Sequence, residues 1–395
     1  MKKASIRSLN RAQLEGKRAL VRVDFNVPMD GTTITDDARI KASIGTIQYL
    51  RDAGAKVILI SHLGRPKAAD SHDLFKLDPM GIRLAELLKS PVTKLDDCIG
   101  QKVEDMISHM KNGDIVLLEN TRLHKEETQN DPSFSKSLAN LGDLFVNDAF
   151  GAAHRAHSST AGIADYLPAY AGLLLEKEIA TLDQVLTTPK RPLVAIIGGA
   201  KISSKFAVLK NLLSKVDTLI IGGGMTYTLL KAQGQEIGKS LCEDTLLEDA
   251  KEFLNAAKAS ATTLILPTDH VCVTEFNGNA AQRISDTIKP NEIAVDIGPK
   301  TTQDIMESIA SANTVIWNGP LGVFEIDAFS KGTMQVAHAL AKSHAFTVVG
   351  GGDSGAAIAK AGVEKQISHV STGGGATLEY LEGKGLPGIE ILENK

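Results

Sequence analysis

Twice along this chain, short runs of β-branched and aliphatic residues alternate with stretches of helical periodicity. That alternation restricts the fold to parallel sheets flanked by helices, because parallel neighbours must be joined by a long crossover. In the first half the apolar runs are residues 19–27, 56–61, 115–119 and 144–147; in the second they are 193–197, 218–221, 263–266, 293–297, 314–317 and 347–349. At 395 residues the chain exceeds what one hydrophobic core supports, so each half is expected to form its own domain. The expected fold is α/β: two doubly wound parallel-sheet, Rossmann-like lobes joined by a helix, with a cleft between them.

Residues 173–186 carry apolar side chains at helical spacing and stop before Pro189, which reads as a single connecting helix. The expected division is therefore residues 1–171 for the first lobe, 172–188 for the connecting helix and 189–375 for the second lobe. Residues 376–395 are expected to form a tail that packs back on the first lobe. Within the second lobe, Phe206, Leu209, Leu212, Leu213 and Val216 share one helical stripe over residues 205–216. Ser203 or Ser204 is placed to cap that helix, which leaves Lys201 in the preceding loop.

Several function classes are excluded early. No run approaches the roughly 18 apolar residues of a membrane span, and the opening Met1-Lys2-Lys3-Ala4-Ser5 leads into no apolar core of a signal peptide. A cytoplasmic protein without membrane attachment is expected. Cys98, Cys242 and Cys272 are odd in number and widely spaced, suggesting neither a disulfide framework nor a thiolate zinc site. No long heptad stretch is present, so a monomer is expected. The net charge of -4 argues against a nucleic-acid partner, yet it conceals an asymmetry: ten of twelve arginines precede residue 171. Arginine presents a rigid fork of donors suited to carboxylate and phosphate, so the first half is expected to grip an anion.

In open α/β sheets ligands bind beyond the carboxyl ends of the strands, so the residues that close each apolar run are informative. The first-half runs end in Asp24-Phe25-Asn26, in Ser61-His62-Leu63-Gly64-Arg65-Pro66, in Glu119-Asn120-Thr121-Arg122, and in Asn147-Asp148 ahead of His154-Arg155-Ala156-His157. If these ends converge, Arg39, His62, Arg65, Arg122 and Arg155 form a positive bowl for a phosphate and a carboxylate, with Asp24 and Asn26 for a hydroxyl. A single arginine taken alone is more often a solvated surface residue, so convergence decides. His154 and His157 have no third zinc-type ligand nearby in sequence and fit capping or anion contacts better.

The second-half runs end in glycine: Gly198-Gly199-Ala200-Lys201, Gly222-Gly223-Gly224, Gly298-Pro299, Asn318-Gly319-Pro320 and Gly350-Gly351-Gly352-Asp353-Ser354-Gly355. Such turns either serve tight strand-to-helix connections or expose N–H groups to nucleotide phosphates. Gly350, Gly352 and Gly355 match a dinucleotide fingerprint, but no acidic residue stands at the end of the next strand to hold a ribose diol. Gly234 to Ser240 imitates a P-loop with one residue too few between its glycines, and it comes after a helix instead of a strand.

Read in order, the motifs at residues 23–28, 61–66, 119–122 and 154–159 resemble the first-lobe signatures of phosphoglycerate kinases. The motifs at 198–201, 222–225, 317–325, 350–355 and 371–376 resemble those of the second lobe, so the likeness spans nearly the whole chain. The resemblance implies that Asp24, Phe25, Asn26, Arg39, His62, Leu63, Gly64, Arg65, Arg122 and Arg155 bind 3-phosphoglycerate or 1,3-bisphosphoglycerate. It implies that Gly199, Lys201, Lys205, Gly223, Asn318, Glu325, Gly351, Gly352, Asp353 and Ser354 bind ADP or ATP, with Asp353 near a magnesium ion (Mg2+). Arg39, Lys201, Gly352 and Gly374 would act on the transferred group. One departure from the family pattern lies at residues 268–276, where His270 stands in place of an expected smaller residue.

Acid phosphorylation of this kind needs no general base, because a carboxylate with a pKa of about 4 is already ionised at neutral pH. Alignment and charge neutralisation are enough. The rival readings are a phosphotransferase for a different acid and a nucleotide-binding regulatory protein that has lost catalysis. The second should have lost Lys201, Arg39 or Asp353, and all three are present.

Overall fold

The structure, a computed structural model, describes residues 3–66 and 73–395. Met1 and Lys2 of the opening segment, and residues 67–72 of the expected first lobe, lie outside the described residues. The chain divides into two compact units, residues 1–180 with 385–395 and residues 181–384.

Unit 1 holds β1 (Arg18–Arg22), a small hairpin of β2 (Met29–Asp30) and β3 (Thr33–Ile34), then β4 (Lys56–Ile60), β5 (Thr93–Lys94), β6 (Ile115–Leu117), β7 (Leu144–Asn147) and β8 (Ala169–Ala171). Six of these form one parallel sheet in the order β5-β6-β4-β1-β7-β8. Strand order reverses beside β1, which places a topological switch point between β1 and β7. Register aligns Arg22 with Ile60 on one side and Asn147 on the other, so the loops leaving β1, β4 and β7 emerge at one sheet edge. The strands are buried on both faces, and Val21, Val57, Leu59, Leu117 and Val146 share one core with Ile40, Ile47, Leu77 and Leu84 from the helices Ala38–Asp52 and Asp78–Leu88 and the turn before the latter.

Unit 2 holds β9 (Leu193–Ile197), β10 (Thr218–Ile221), β11 (Thr263–Ile265), β12 (His270–Val273), β13 (Arg283–Ser285), β14 (Ile293–Ile297), β15 (Thr314–Asn318), β16 (Phe346–Gly350) and β17 (His369–Val370). A second six-stranded parallel sheet runs β11-β10-β9-β15-β16-β17, with its own switch point between β9 and β15. Here register aligns Ile197, Asn318 and Gly350 in one row. Among the described residues no helix is long and apolar enough to cross a membrane.

Several sequence expectations are corrected. The run 19–27 is strand only to Arg22, because the Asp24 carboxylate accepts the Asn26 N–H and turns the chain away from the sheet. Residues 293–297 form β14, which pairs antiparallel with β12 in a separate three-stranded sheet and is no part of the parallel one. His270 sits buried in β12 beside Tyr227, whose hydroxyl lies 3.4 Å from its Nδ1. Neither Ser203 nor Ser204 caps the helix Phe206–Leu213: the Ser203 hydroxyl donates to Glu243, and that of Ser204 donates to the Lys201 carbonyl.

A helix does occupy Leu173–Thr187, and the division between the units falls inside it. Its first turn is held by Asp148, whose Oδ1 accepts from the N–H groups of Leu174 and Leu175. Residues 376–384 stay in unit 2, where Asn211 donates to the Leu381 carbonyl at 2.6 Å. The segment that belongs to unit 1 begins at Gly385: Asn147 donates to the Gly388 carbonyl at 2.7 Å, and Lys3 to those of Glu390 and Leu392.

Candidate active site

In unit 1 the cluster is built on a charged residue inside a strand. Arg22, the last residue of β1, is fully buried, and burial pulls its pKa below the ordinary value against the opposing pull of Glu127 and Asp24. Its Nε donates to Ser159 Oγ at 2.8 Å, and Ser159 in turn donates to the buried Glu127 carboxylate from both its hydroxyl (2.6 Å) and its N–H (3.0 Å). The guanidinium Nη2 lies 2.8 Å from Nδ1 of His62.

That contact fixes the state of His62. A guanidinium can only donate, so Nδ1 accepts and the ring proton resides on Nε2. Burial, followed by the cations Arg22, Arg122, Arg155 and Arg39, holds the His62 pKa well below its ordinary range, so the ring is neutral. The same electrostatic influence shows that these arginines gather about one point. Arg122 is lowered to about 10, first by burial and then by Arg155 and Arg22, with Arg65 also contributing. His157 is lowered to about 4 by burial and by Arg122 and Arg155. A concentration of cations this close is unfavourable by itself and suits an anionic ligand.

Local hydrogen bonds set the surrounding loops. Arg39 Nη1 donates to Asp24 Oδ2 at 3.0 Å and to the Asn26 carbonyl at 3.1 Å. Asn26 Oδ1 accepts from the Gly64 N–H at 2.8 Å, and Arg122 Nη1 donates to the Gly64 carbonyl at 2.7 Å. Asn120 clasps Leu63 through both its N–H and its carbonyl. Arg155 Nε donates to His154 Nε2 at 3.1 Å. Asp24, Asn26, Arg39, His62, Gly64, Arg65, Arg122 and Arg155 are thus neighbours through named contacts or mutual electrostatic influence. Phe25 and Leu63 place their side chains in the core, so only their main chain is available to a ligand.

Unit 2 gathers a different chemistry at its own switch point. Lys205 is half-buried, and burial lowers its pKa to about 8, partly opposed by Asp353 and Glu382. Its ammonium donates to Asn318 Oδ1, and Asn318 Nδ2 donates to the Gly350 carbonyl at 2.8 Å. Ser354 Oγ accepts from the Gly319 N–H at 2.5 Å, which ties the turn after β16 to the turn after β15. Two glycines are required by geometry: a Cβ on Gly198 would lie 2.1 Å from the Pro320 carbonyl oxygen, and Gly351 has φ +99° with Asn318 Nδ2 packed above it. Gly352 and Asp353 open the helix Gly352–Lys360 and are exposed there, leaving free N–H groups and a carboxylate at the positive end of the helix.

Lys201 is exposed at the start of the turn Ile202–Ser204 and acts electrostatically on Glu243. Glu325 is exposed in the loop after β15, and Gly374 precedes the helix Gly375–Leu381 with φ +51°. Of the four residues expected to act on the transferred group, Arg39 lies in unit 1, and Lys201, Gly352 and Gly374 lie in unit 2.

Two anion-suited clusters of this composition, each at a sheet switch point, are matched by a family profile described as phosphoglycerate kinase over residues 9–384. The chain belongs to the phosphoglycerate kinase family. It is 54% identical over 398 residues to the phosphoglycerate kinase of Dictyoglomus turgidum, covering all of both chains. It is 52% identical over 390 residues to that of Moorella thermoacetica, covering 98% of this chain and 99% of the other. Among solved structures, phosphoglycerate kinase from Coxiella burnetii matches with a TM-score of 0.89 at 43% identity, and that from Pyrococcus horikoshii with 0.84 at 31%; each match covers 98% of both chains.

To the ligand-binding residues expected from the sequence, the structure adds Arg22 and Glu127, and gives structural parts to Asn120 and Ser159, which the motifs at 119–122 and 154–159 contain. An arginine between Val21 and Val23 in a run buried on both faces was a visible sign of an internal ion partner.

Proposed function

We propose that the chain catalyses reversible, magnesium-dependent transfer of a phosphoryl group from 1,3-bisphosphoglycerate to ADP, giving 3-phosphoglycerate and ATP, as in glycolysis and, in reverse, gluconeogenesis. It does so as a cytoplasmic monomer. The observation that carries the reading is the pairing of a neutral His62 among converging arginines in one unit with the Lys205–Asn318–glycine cluster in the other.

In this reading His62 donates from Nε2 to the acid's phosphate or carboxylate, and Asp24 and Asn26 receive its hydroxyl. Arg65, Arg122 and Arg155 neutralise the non-reacting phosphate. Lys205 and the N–H groups at Gly351 and Gly352 hold the nucleotide phosphates, while Glu325 takes the ribose hydroxyls. Lys201 and Arg39 stabilise charge on the group in transit. Asp353 fits a hard cation: it is an exposed carboxylate on the first helical turn, and magnesium takes one or two carboxylates with phosphate oxygens and water. Bound with the nucleotide, magnesium would neutralise phosphate charge. Because the two ligand sets belong to different units, transfer requires the units to close and exclude water that would hydrolyse an acyl phosphate.

The deciding assay incubates the protein with ATP, magnesium and 3-phosphoglycerate and traps acyl phosphate with hydroxylamine. Product with 3-phosphoglycerate but not with acetate or glycerate supports the reading. Product only with another acid would indicate a different phosphotransferase, and binding of ATP without product would indicate a regulatory protein.

The half-buried ammonium of Lys205 gives a pH prediction. With a pKa of about 8, it is charged at pH 7 and loses charge as pH rises. Affinity for ATP is expected to weaken between about pH 7 and 9 in the native protein and to show a much flatter profile in Lys205→Met. Calorimetric titrations at several pH values check this, and parallel profiles for the two proteins would contradict it.

A further inference from the structure

Asp97, Cys98 and His124 bring a carboxylate, a thiol and an imidazole together outside the cluster described above, with one ligand atom from each lying within 4.8 Å of the others. Among the described residues this is the one such group of three or more metal-ligating side chains. Spacing along the chain gives no hint of it, since 25 residues separate Cys98 from His124. We propose that these three side chains form a binding site for a single borderline-soft divalent cation of the zinc class, completed by water.

The donor set is the first argument. Thiolate, imidazole and carboxylate are the ligands zinc prefers, and three protein ligands with an open fourth position is a recurrent zinc arrangement. A hard cation such as magnesium would gain nothing from the sulfur.

The second argument is that two of the three are already oriented. His124 directs Nε2 at Asp97 Oδ1, 2.7 Å away, and its ring packs on Phe134 with centroids 5.2 Å apart. The Asp97 carboxylate also accepts from the Cys98 N–H at 2.7 Å, and its carbonyl accepts from the Glu119 N–H next to β6. Cys98 is fully buried and anchors the inner side of the site. Bond lengths of about 2.0–2.3 Å in a tetrahedron require ligand atoms roughly 3.3–3.6 Å apart, so the half-exposed Asp97 and the partly exposed His124 need move only slightly.

Charge supplies the third. Asp97 is itself a ligand, and the carboxylates of Glu127 and Glu119 lie near enough to Cys98 to act on it electrostatically, so the site is anionic in make-up and favours a dication. On binding, the Cys98 thiol gives its proton to solvent, and His124 coordinates through Nε2 with its single ring proton on Nδ1.

Cobalt(II) is the probe, because thiolate ligation gives it a near-ultraviolet charge-transfer band. Titration of the full chain without nucleotide is expected to produce this band at one equivalent. Zinc should displace the cobalt, and Cys98→Ser should abolish the band. In His124→Ala and Asp97→Asn the zinc affinity is expected to fall by roughly tenfold or more. No band in the native protein, or a band that survives in Cys98→Ser and so arises from Cys242 or Cys272, overturns the proposal. Should Cys98→Ser not fold, His124→Ala and Asp97→Asn decide, since native zinc affinity in both is incompatible with the site.

Discussion

Lys201→Ala is expected to lower kcat roughly 10²- to 10³-fold, the loss seen when one preorganised donor to a transition-state charge is removed. Lys201 is exposed, so its loss should leave the unfolding free energy within about 0.5 kcal/mol of that of the native protein. The effect should fall on kcat more than on KM, because the charge it meets develops on the group in transit and is weaker in the ground state. Lys201→Arg retains charge but not the point geometry and should recover only part of the rate. Steady-state kinetics with a thermal melt on each variant tests this. A variant with nearly native kcat would remove Lys201 from the chemistry, whereas a large fall in the melting point would make its role structural.

The largest stability effect is expected at Glu127→Ala. This carboxylate is completely buried and, through Ser159, is what balances the buried Arg22. Removing one member of a buried ionic set leaves the other uncompensated, a loss of about 3–5 kcal/mol. Arg22→Met should be comparably harmful alone. The double variant, with neither charge, should recover part of the loss, since no buried charge is then left unpaired, while the cavity left by Ala keeps the remainder. Chemical denaturation of the four proteins yields the coupling directly. Additive effects would show that Arg22 and Glu127 do not depend on each other. Because Arg22 also fixes the His62 proton on Nε2, 3-phosphoglycerate affinity should fall in every variant that lacks it, the partly restored double variant included.

The sequence makes visible those features that depend on residue type at a strand end. Arg65, Arg122 and Arg155 each come after an apolar run, and the glycines after β9, β15 and β16 announce close backbone approaches such as that of Gly198 to Pro320. What it hides depends on partners far apart in the chain. Arg22 meets Glu127 through Ser159 across separations of 137 and 32 residues, and no local pattern encodes that. Residues 293–297 read as a parallel strand because aliphatic runs of that length look alike whichever way their neighbour points; only pairing with β12 reveals the antiparallel sheet. Ser203 had the right residue type for a cap, but Glu243, forty positions on, takes its hydroxyl and its N–H.

The proposed function assigns acid and nucleotide to separate units, and it requires those units to come together around both ligands for transfer. Small-angle X-ray scattering on the free protein, with each ligand alone and with 3-phosphoglycerate plus a non-hydrolysable ATP analogue and magnesium reads that step most directly. The expected result is a fall in the radius of gyration that is largest with both ligands present. An unchanged radius under saturating concentrations of both would contradict the account.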